Sequence, residues 1–291
     1  MNTNPVFEKD IKRHTRSIKI SWIICGCNIV LATIAITSFF GEGAAPGVMR
    51  AGSYSMPARC YMLMAYALFA MILIAVPAIT GGSISMEREA RTLDVLLTTS
   101  LSPWKIITGK LESALSVVFL LTFSTLPALA LVLVFGGISI WDLFLLVGIL
   151  LVTGIYIGSL GICCSVTFKR TTIATVMTYM FVLFFLVGTV AAPAMGLYVA
   201  RLQESVQPEQ ASPGAGKIIY LFLLNPLISF VGLISQQVGD GHEINTICNQ
   251  FGNYKNDFIV SHMVWFSVGV QMLLSALFLF IAGRKINPLR K

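Results

Sequence analysis

The charged side chains with the most informative spacing lie between residues 85 and 110, which read SMEREARTLDVLLTTSLSPWKIITGK. Glu87 and Arg91 stand four residues apart, in the order that favours an ion pair on one helix. Glu89 lies between them. Carboxylates and a guanidinium on a short helix can bind or orient another protein, and this chemistry requires no catalytic group. The spacing therefore predicts a short polar helix.

An apolar face follows these charges. Leu93, Leu96 and Leu97 have the i, i+3, i+4 spacing of neighbouring positions on a helix. Ser102 and Pro103 then form the cap and the first residue typical of the next helix. An exposed leucine face outside the membrane must be covered. Spacing alone leaves two interpretations open: the leucines dock a partner protein, or they pack against the chain's own helix ends.

The rest of the sequence offers no recognisable catalytic, metal-binding or nucleotide-binding pattern. His14, His242 and His262 fall in separate segments, without a nucleophile or carboxylate at a catalytic spacing. The six cysteines form no metal signature, and a disulfide between Cys60 and Cys248 stays open. No segment fits G-x-x-x-x-G-K-[ST], the phosphate loop of many ATPases. We therefore expect neither enzymatic activity nor a bound cofactor or metal on this chain.

The composition is that of a membrane protein. Of 291 residues, 56% are hydrophobic and 11% are charged, against roughly 25% charge in a soluble domain. The mean hydropathy is +0.82. These values exclude a soluble enzyme, a disordered tail and a disulfide-rich secreted scaffold, and they disfavour a nucleic-acid partner.

The apolar stretches predict an all-α membrane protein, because a spanning helix needs about 20 apolar residues. Gly154 and Gly158 form a G-x-x-x-G pair that is either a close helix contact or incidental. The six predicted spans are Ile20–Phe40, Cys60–Ser85, Leu111–Phe135, Leu143–Phe168, Thr172–Tyr198 and Phe258–Ala282.

The distribution of basic residues predicts the orientation of these spans. Fifteen of the 20 Lys and Arg residues fall on the side that holds both termini and residues 86–110, and five fall on the other side. By the positive-inside rule both termini are cytoplasmic. A cleaved signal peptide is disfavoured, because Glu8 and Asp10 stand in the leader and the first apolar run is too long.

Two further segments predict helices at the membrane surfaces. Asn4 and Pro5 cap a helix whose apolar face includes Phe7, Ile11 and Ile18, which predicts an interfacial amphipathic helix over residues 1–19. A seventh apolar run, 218–235, is divided by Asn-Pro at 225–226. We expect two short helices in or on the outer leaflet, with a seventh span as the alternative.

These patterns resemble a known family. The run Glu-Arg-Glu-x-x-Thr-Leu-x-x-Leu-Leu-Thr-x-x-Leu-Ser, followed by Gly-Lys at 109–110, resembles the membrane (permease) subunits of type-2 ATP-binding-cassette (ABC) exporters, and Asn-Pro-x-Phe-x-Lys-Asp-Ile near the N-terminus is similar to their first helix. The resemblance implies that the 86–110 connection holds a cytoplasmic coupling helix that docks in a separate ATPase. One departure is that Ala-Arg at 90–91 replaces the Gly that often precedes the Thr. The contact residues it implies are Glu87, Glu89, Arg91, Thr92, Leu93, Leu96 and Leu97.

The resemblance implies one permease domain over residues 1–291. Its parts are the interfacial helix (1–19), spans 1 and 2 (20–85), the coupling loop (86–110), spans 3 to 5 (111–198), the outer connection (199–257), and span 6 with its tail (258–291). ATP and Mg would bind the partner ATPase, and a second permease subunit, identical or sister, would complete the transporter in a bacterial plasma membrane.

The substrate is expected to be hydrophobic or amphipathic, such as a peptide, lipid or drug, because the span interiors hold almost no ionisable groups. The alternative function is an ion-coupled carrier, channel or scaffold that is not driven by ATP.

Overall fold

The computed structural model describes residues 18–40, 56–93, 102–134, 138–206, 216–239, 248, 251 and 258–286, and this part of the chain contains helices and no strand. The helices are α1 (Ile18–Phe40), α2 (Met56–Thr80), α3 (Ser85–Glu89), α4 (Pro103–Val134), α5 (Ile140–Thr167), α6 (Thr171–Leu183), a π-helical turn (Phe184–Gly188), α7 (Thr189–Val206), a 3-10 helix (Gly216–Leu224), α8 (Pro226–Val238), α9 (Phe258–Ser261) and α10 (Met263–Ile286).

The predicted fold class, an all-α membrane protein, is confirmed. Within the described ranges, five helices are long and apolar enough to cross a membrane, or six if the bent pair 217–238 counts as one span. Helix α1 has 23 residues, which is the length that a span requires. The apolar part of α1 whose side chains the structure describes is Ile24–Ser38, and this part is shorter than a span. The predicted interfacial helix, with Phe7 and Ile11, lies outside the described residues, and Ile18 begins α1.

All six predicted spans differ in their bounds from the corresponding helices, and three of them include a break in the α-helix. The second ends at Thr80, before Gly81 and Gly82, because two glycines in succession favour a turn over a helix. The fifth is interrupted by the π-helical turn Phe184–Gly188, which no sequence signal marks. The sixth begins at Met263, after the four-residue helix α9.

The chain divides into two compact units, of which the first comprises Met1–Tyr179 and Leu274–Lys291. Helix α5 is the centre of this unit and packs against α2 and α4, while α1 packs against the same two helices. Ser139 and Asp142 form a capping box at the start of α5. The helix is buried along most of its length, so the unit is built around it.

Two glycines on α5 permit its close approach to α4. A Cβ at Gly158 would lie 2.9 Å from the Leu111 side chain, and one at Gly154 would lie 3.4 Å from Leu115 and Val118. The G-x-x-x-G pair is therefore a close helix contact and not an incidental pair of glycines.

The second unit comprises Met180–Leu273. Its 3-10 helix and α8 meet at Asn225 with a bend of 86°. The Asn225 side chain accepts a hydrogen bond from the Leu227 N–H at 2.9 Å, and Pro226 occupies the first helical position. The prediction of two short helices separated at Asn225-Pro226 is confirmed, and their geometry is that of a broken span or a re-entrant loop.

Neutral hydrogen bonds hold this bend in place. Asn225 is fully buried, and its Nδ2 donates to the Leu186 carbonyl and to Thr189 Oγ1, both at 2.9 Å. Gln271 Nε2 donates to Ser229 at 3.0 Å and to Ser267 at 2.9 Å, and these hydroxyls donate to backbone carbonyls on either side of the bend. The buried donor groups are thus paired, while Gln271 Oε1 has no hydrogen-bond partner in the described part of the chain.

Cys60 and Cys248 form no disulfide, and both are free thiols. Each is buried, with a methionine sulfur 3.8 Å from its Sγ: Met64 for Cys60 and Met263 for Cys248.

Candidate functional site

The candidate site is the 81–93 segment, in which the chain turns away from α2 and forms the short helix α3. At the turn, a Cβ on Gly82 would lie 2.7 Å from Thr171, and one on Gly81 would lie 3.0 Å from the Thr175 Cα. On the other side, a Cβ on Gly161 of α5 would overlap the side chain of Thr80. These positions therefore require glycine, and the segment is packed tightly between the end of α5 and the start of α6.

The start of α3 is capped by a residue of another helix. Ile84 occupies the N-cap position and has no side chain that can accept a hydrogen bond. Instead, Ser165 Oγ on α5 accepts the N–H groups of Ile84 at 2.8 Å and Ser85 at 3.0 Å. All three residues are buried. Because buried N–H groups are costly when unpaired, Ser165 fixes α3 to the central helix.

Glu87 connects α3 to the start of α4. Its Oε1 lies 2.8 Å from Lys110 Nζ, and the two side chains are 18% and 9% exposed. The expectation of a helical pair between Glu87 and Arg91 is wrong, because α3 ends at Glu89 and Arg91 lies beyond it. Such a shielded ion pair is far less weakened by solvent than a surface pair.

Glu89 connects α3 to the start of α6. The backbone N–H of Thr171 donates to Glu89 Oε1 at 3.1 Å, and the Thr171 hydroxyl donates to Oε2. Glu89 lies beyond the Gly81-Gly82 turn, on the exposed side of the segment. The hydrogen bonds from the Thr171 hydroxyl and N–H, together with the charge of Arg170, lower the pKa of the Glu89 carboxyl. Glu89 therefore acts as an N-terminal cap for α6, where a negative charge is favoured.

The end of α3 is a Schellman motif with an arginine at the position that glycine usually takes. The Thr92 N–H donates to the Glu87 carbonyl at 2.9 Å, and the Arg91 N–H donates to the Arg88 carbonyl at 3.1 Å. Arg91 has a φ of 54°, and in the described part of the chain no other non-glycine residue has a positive φ. The bend expected of a glycine is thus present, and its left-handed conformation is strained for arginine.

Leu93 is internal to the chain. It is 5% exposed and packs in an apolar cluster drawn from the α2–α3 turn, α4, α5 and α10. The sequence left open whether the leucines dock a partner or pack within the chain, and Leu93 packs within the chain. The reason is that the Schellman motif turns the chain inward just before Leu93. Leu96 and Leu97 lie outside the described residues. The cluster comprises Ile84, Leu93, Ile107, Leu111, Ile162, Val166, Ala282 and Ile286.

A comparison with protein-family models matches residues 22–284 to the family described as ABC-2 family transporter protein. The chain belongs to this family. It is a multi-pass membrane permease of an ABC transporter, a membrane component without the ATPase site, and the family implies association with an ABC ATPase. A comparison with curated proteins gives no match.

The structure of this ABC-2 permease brings some of the predicted contact residues together and separates others. Glu87 and Glu89 both point to other helices of the same chain, whereas Arg91 and Thr92 are exposed. Their predicted role toward an ATPase stays a prediction.

Sequence reasoning did not identify Ser165, Thr171 or Gly161 as parts of the site, and it gave Lys110 no role. Lys110 belongs to the Gly-Lys pair of the family motif, so its place in the motif was a signal. Ser165, Thr171 and Gly161 carried none, because nothing local in the sequence says which residues of α5 and α6 lie beside α3.

Proposed function

We propose that this ABC-2 permease is the transmembrane subunit of an ATP-driven exporter, in which the 81–93 segment transmits movements of the ATPase to the membrane helices. The observation that carries the proposal is the set of links made by this short segment. Ser165 holds it to the end of α5, Lys110 to the start of α4, and Thr171 to the start of α6. A displacement of α3 is thereby passed to three long helices at once.

The segment and both termini are cytoplasmic in this proposal, because the side of the membrane that holds them carries most of the basic residues. The ATPase would then meet the segment in the cytoplasm and bind ATP and Mg there. A single cysteine at Arg91, in a variant without other cysteines, tests the orientation. An impermeant thiol reagent should label it only after the cells are opened, and labelling in intact cells would contradict the orientation.

The docking surface for the ATPase is proposed to include the exposed Arg91 and Thr92 and the leucines that follow them. Leu93 supports this surface from inside, since it is buried in the cluster beneath. Glu87 and Glu89 orient the segment, because their carboxylates are already bonded within the chain. This division makes Leu96 and Leu97 the apolar docking residues.

The test compares Leu96→Asp with Leu93→Ala. An unpaired carboxylate in a protein groove is costly, so Leu96→Asp should weaken ATPase binding at least about tenfold, which requires only ~1.4 kcal/mol. Its level in the membrane should stay normal. Leu93→Ala should instead destabilise the permease by about 3 kcal/mol through the cavity it leaves.

The measurements are co-purification of the partner ABC ATPase, the amount of permease in the membrane, and its thermal unfolding. Full ATPase retention by Leu96→Asp would contradict the docking assignment. Loss of the Leu96→Asp permease itself would show that Leu96, like Leu93, is internal.

The proposed exporter contains two permease subunits, identical or sister, and carries a hydrophobic or amphipathic substrate. The support for this substrate class is that the polar side chains buried in the described helices are mostly neutral, as at Asn225 and Gln271. Uptake by inside-out vesicles of labelled lipids, peptides and drugs tests it. Transport restricted to small inorganic ions would contradict it.

A further inference from the structure

Exposed cations and aromatic rings adjoin at one end of the first unit, where α4 begins and where α5 and α10 end. Trp104 lies directly over Gly283 of α10, where a Cβ would come within 2.9 Å of the indole ring. Its ring centroid is 6.2 Å from that of Phe280, and the Arg284 guanidinium carbon lies 4.3 Å from the centre of the same Phe280 ring. The arginine is therefore held over an aromatic face at the end of a membrane helix.

Three further cations border the same place. Lys285 Nζ lies 3.1 Å from Thr167 Oγ1, at the end of α5. Lys169 and Arg170 are exposed and follow Thr167 in the turn to α6. We name Trp104, Lys169, Arg170, Arg284 and Lys285 the basic rim.

The carboxylates nearest to the basic rim offset its charge only in part. Glu87 is paired with Lys110, and Glu89 is bonded to Thr171 and interacts electrostatically with Arg170 of the rim. Glu112 is exposed, two turns farther along α4 than Trp104. In the described part of the chain, neither Arg284 nor Lys285 forms a salt bridge. The rim therefore presents an excess of positive charge.

Apolar surface continues from the rim along the membrane helix. Phe280 is 44% exposed, Leu277 is 52% exposed, and Trp104 is 44% exposed beside them. Cations at a helix end above an exposed apolar stripe match an anionic headgroup with its acyl chain below, and tryptophan is typical of this depth. An acidic protein would account for the charges alone, not for the stripe that extends into the span.

We propose that the basic rim binds an anionic phospholipid, with the phosphate at Arg284 and Lys285 and an acyl chain along Phe280 and Leu277. The proposal requires only that the chain spans a membrane, and it does not depend on ATP-driven coupling. Ala282 and Ile286, at the same end of α10, belong to the apolar cluster that contains Leu93. The lipid would therefore contact a helix that packs against the 81–93 segment.

The test uses Trp104 as a reporter, in a variant in which Trp22, Trp141 and Trp265 are replaced by Phe. The protein is placed in phosphatidylcholine nanodiscs that contain brominated phosphatidylglycerol or, in parallel, brominated phosphatidylcholine. Bromine quenches tryptophan only at close range. We expect phosphatidylglycerol to quench Trp104 at several-fold lower mole fraction than phosphatidylcholine does.

Substitutions then locate the headgroup. Arg284→Gln and Lys285→Gln should each reduce the preference for phosphatidylglycerol about fivefold, the contribution expected of one cation at a lipid surface. Arg284→Lys should retain it, and so should Lys217→Gln, which removes an exposed cation of the other unit. Equal quenching by the two lipids would overturn the proposal. So would a preference that survives both glutamine substitutions, or the absence of quenching by either lipid, which would mean that protein covers the rim.

Discussion

Two apolar segments of this permease are interrupted, and they are stabilised in different ways. In the first, between α2 and α3, two glycines make the turn, and the links to other helices include two carboxylates, Glu87 and Glu89. In the second, at Asn225, the bend is stabilised by amides and hydroxyls alone among the described side chains. At the first interruption Glu87 is tolerated because Lys110 neutralises it and Glu89 because it is exposed, whereas neutral pairs cost less in an apolar environment.

The largest effect is expected at the second interruption. Asn225→Leu removes the cap of α8 and leaves the half-buried Leu186 carbonyl without the Asn225 donor, which should destabilise the protein by about 3 kcal/mol. Asn225→Ser keeps a cap oxygen but is too short to reach Leu186, so it should cost about half as much. Thermal unfolding in detergent measures both. Equal effects of the two variants would show that the cap of α8 contributes nothing, because both variants lose the bond to Leu186.

At the first interruption, Glu87→Gln removes the carboxylate next to Lys110. We expect a loss of about 2 kcal/mol, between the values of exposed and fully buried ion pairs. The double variant Glu87→Gln, Lys110→Gln should regain part of this loss. In it, no charged lysine is held in a shielded position from which the Glu87 carboxylate has been removed. If the losses of stability in Glu87→Gln and in Lys110→Gln simply add up to the loss in the double variant, the ion pair does not contribute to the link between α3 and α4.

Ser165→Ala tests the neutral link at the same place. It leaves the buried N–H groups of Ile84 and Ser85 without an acceptor, at a cost of about 1.5 kcal/mol. Ser159→Ala is the matched control, because Ser159 is equally buried on α5 but donates only to the Tyr156 carbonyl of its own helix. The same melting temperature for both variants would contradict the capping role of Ser165.

The smallest expected effect is a gain in stability. Arg91→Gly replaces a strained left-handed arginine by the residue suited to this position, and should stabilise the isolated permease by roughly 0.5–1 kcal/mol. Arg91→Ala retains the strain and should give no such gain. A destabilised Arg91→Gly variant would mean that the arginine side chain contributes more than its backbone strain costs.

Local signals in the sequence predicted the helices well and the contacts between them poorly. Proline at 103, Asn-Pro at 225–226 and the long apolar runs each act within a few residues, so the elements that they start or end were predicted. The partner of Glu87 lies 23 positions away and the partner of Glu89 lies 82 positions away. Spacing could not identify such partners, and it left Leu93 open between docking and internal packing because the turn at Arg91 has no glycine to mark it.

The central claim is that the 81–93 segment passes the ATPase cycle to the membrane helices, and α6 is where this can be measured most directly. An environment-sensitive fluorophore is attached to a cysteine at Val176, on the exposed face of α6, in a variant without other cysteines, purified with its ATPase. Trapping the ATPase with ATP and vanadate should change the fluorescence. In the double variant Glu89→Ala, Ser165→Ala, with ATP hydrolysis retained, this change should fall at least about fivefold. An undiminished fluorescence change in that variant would contradict the claim.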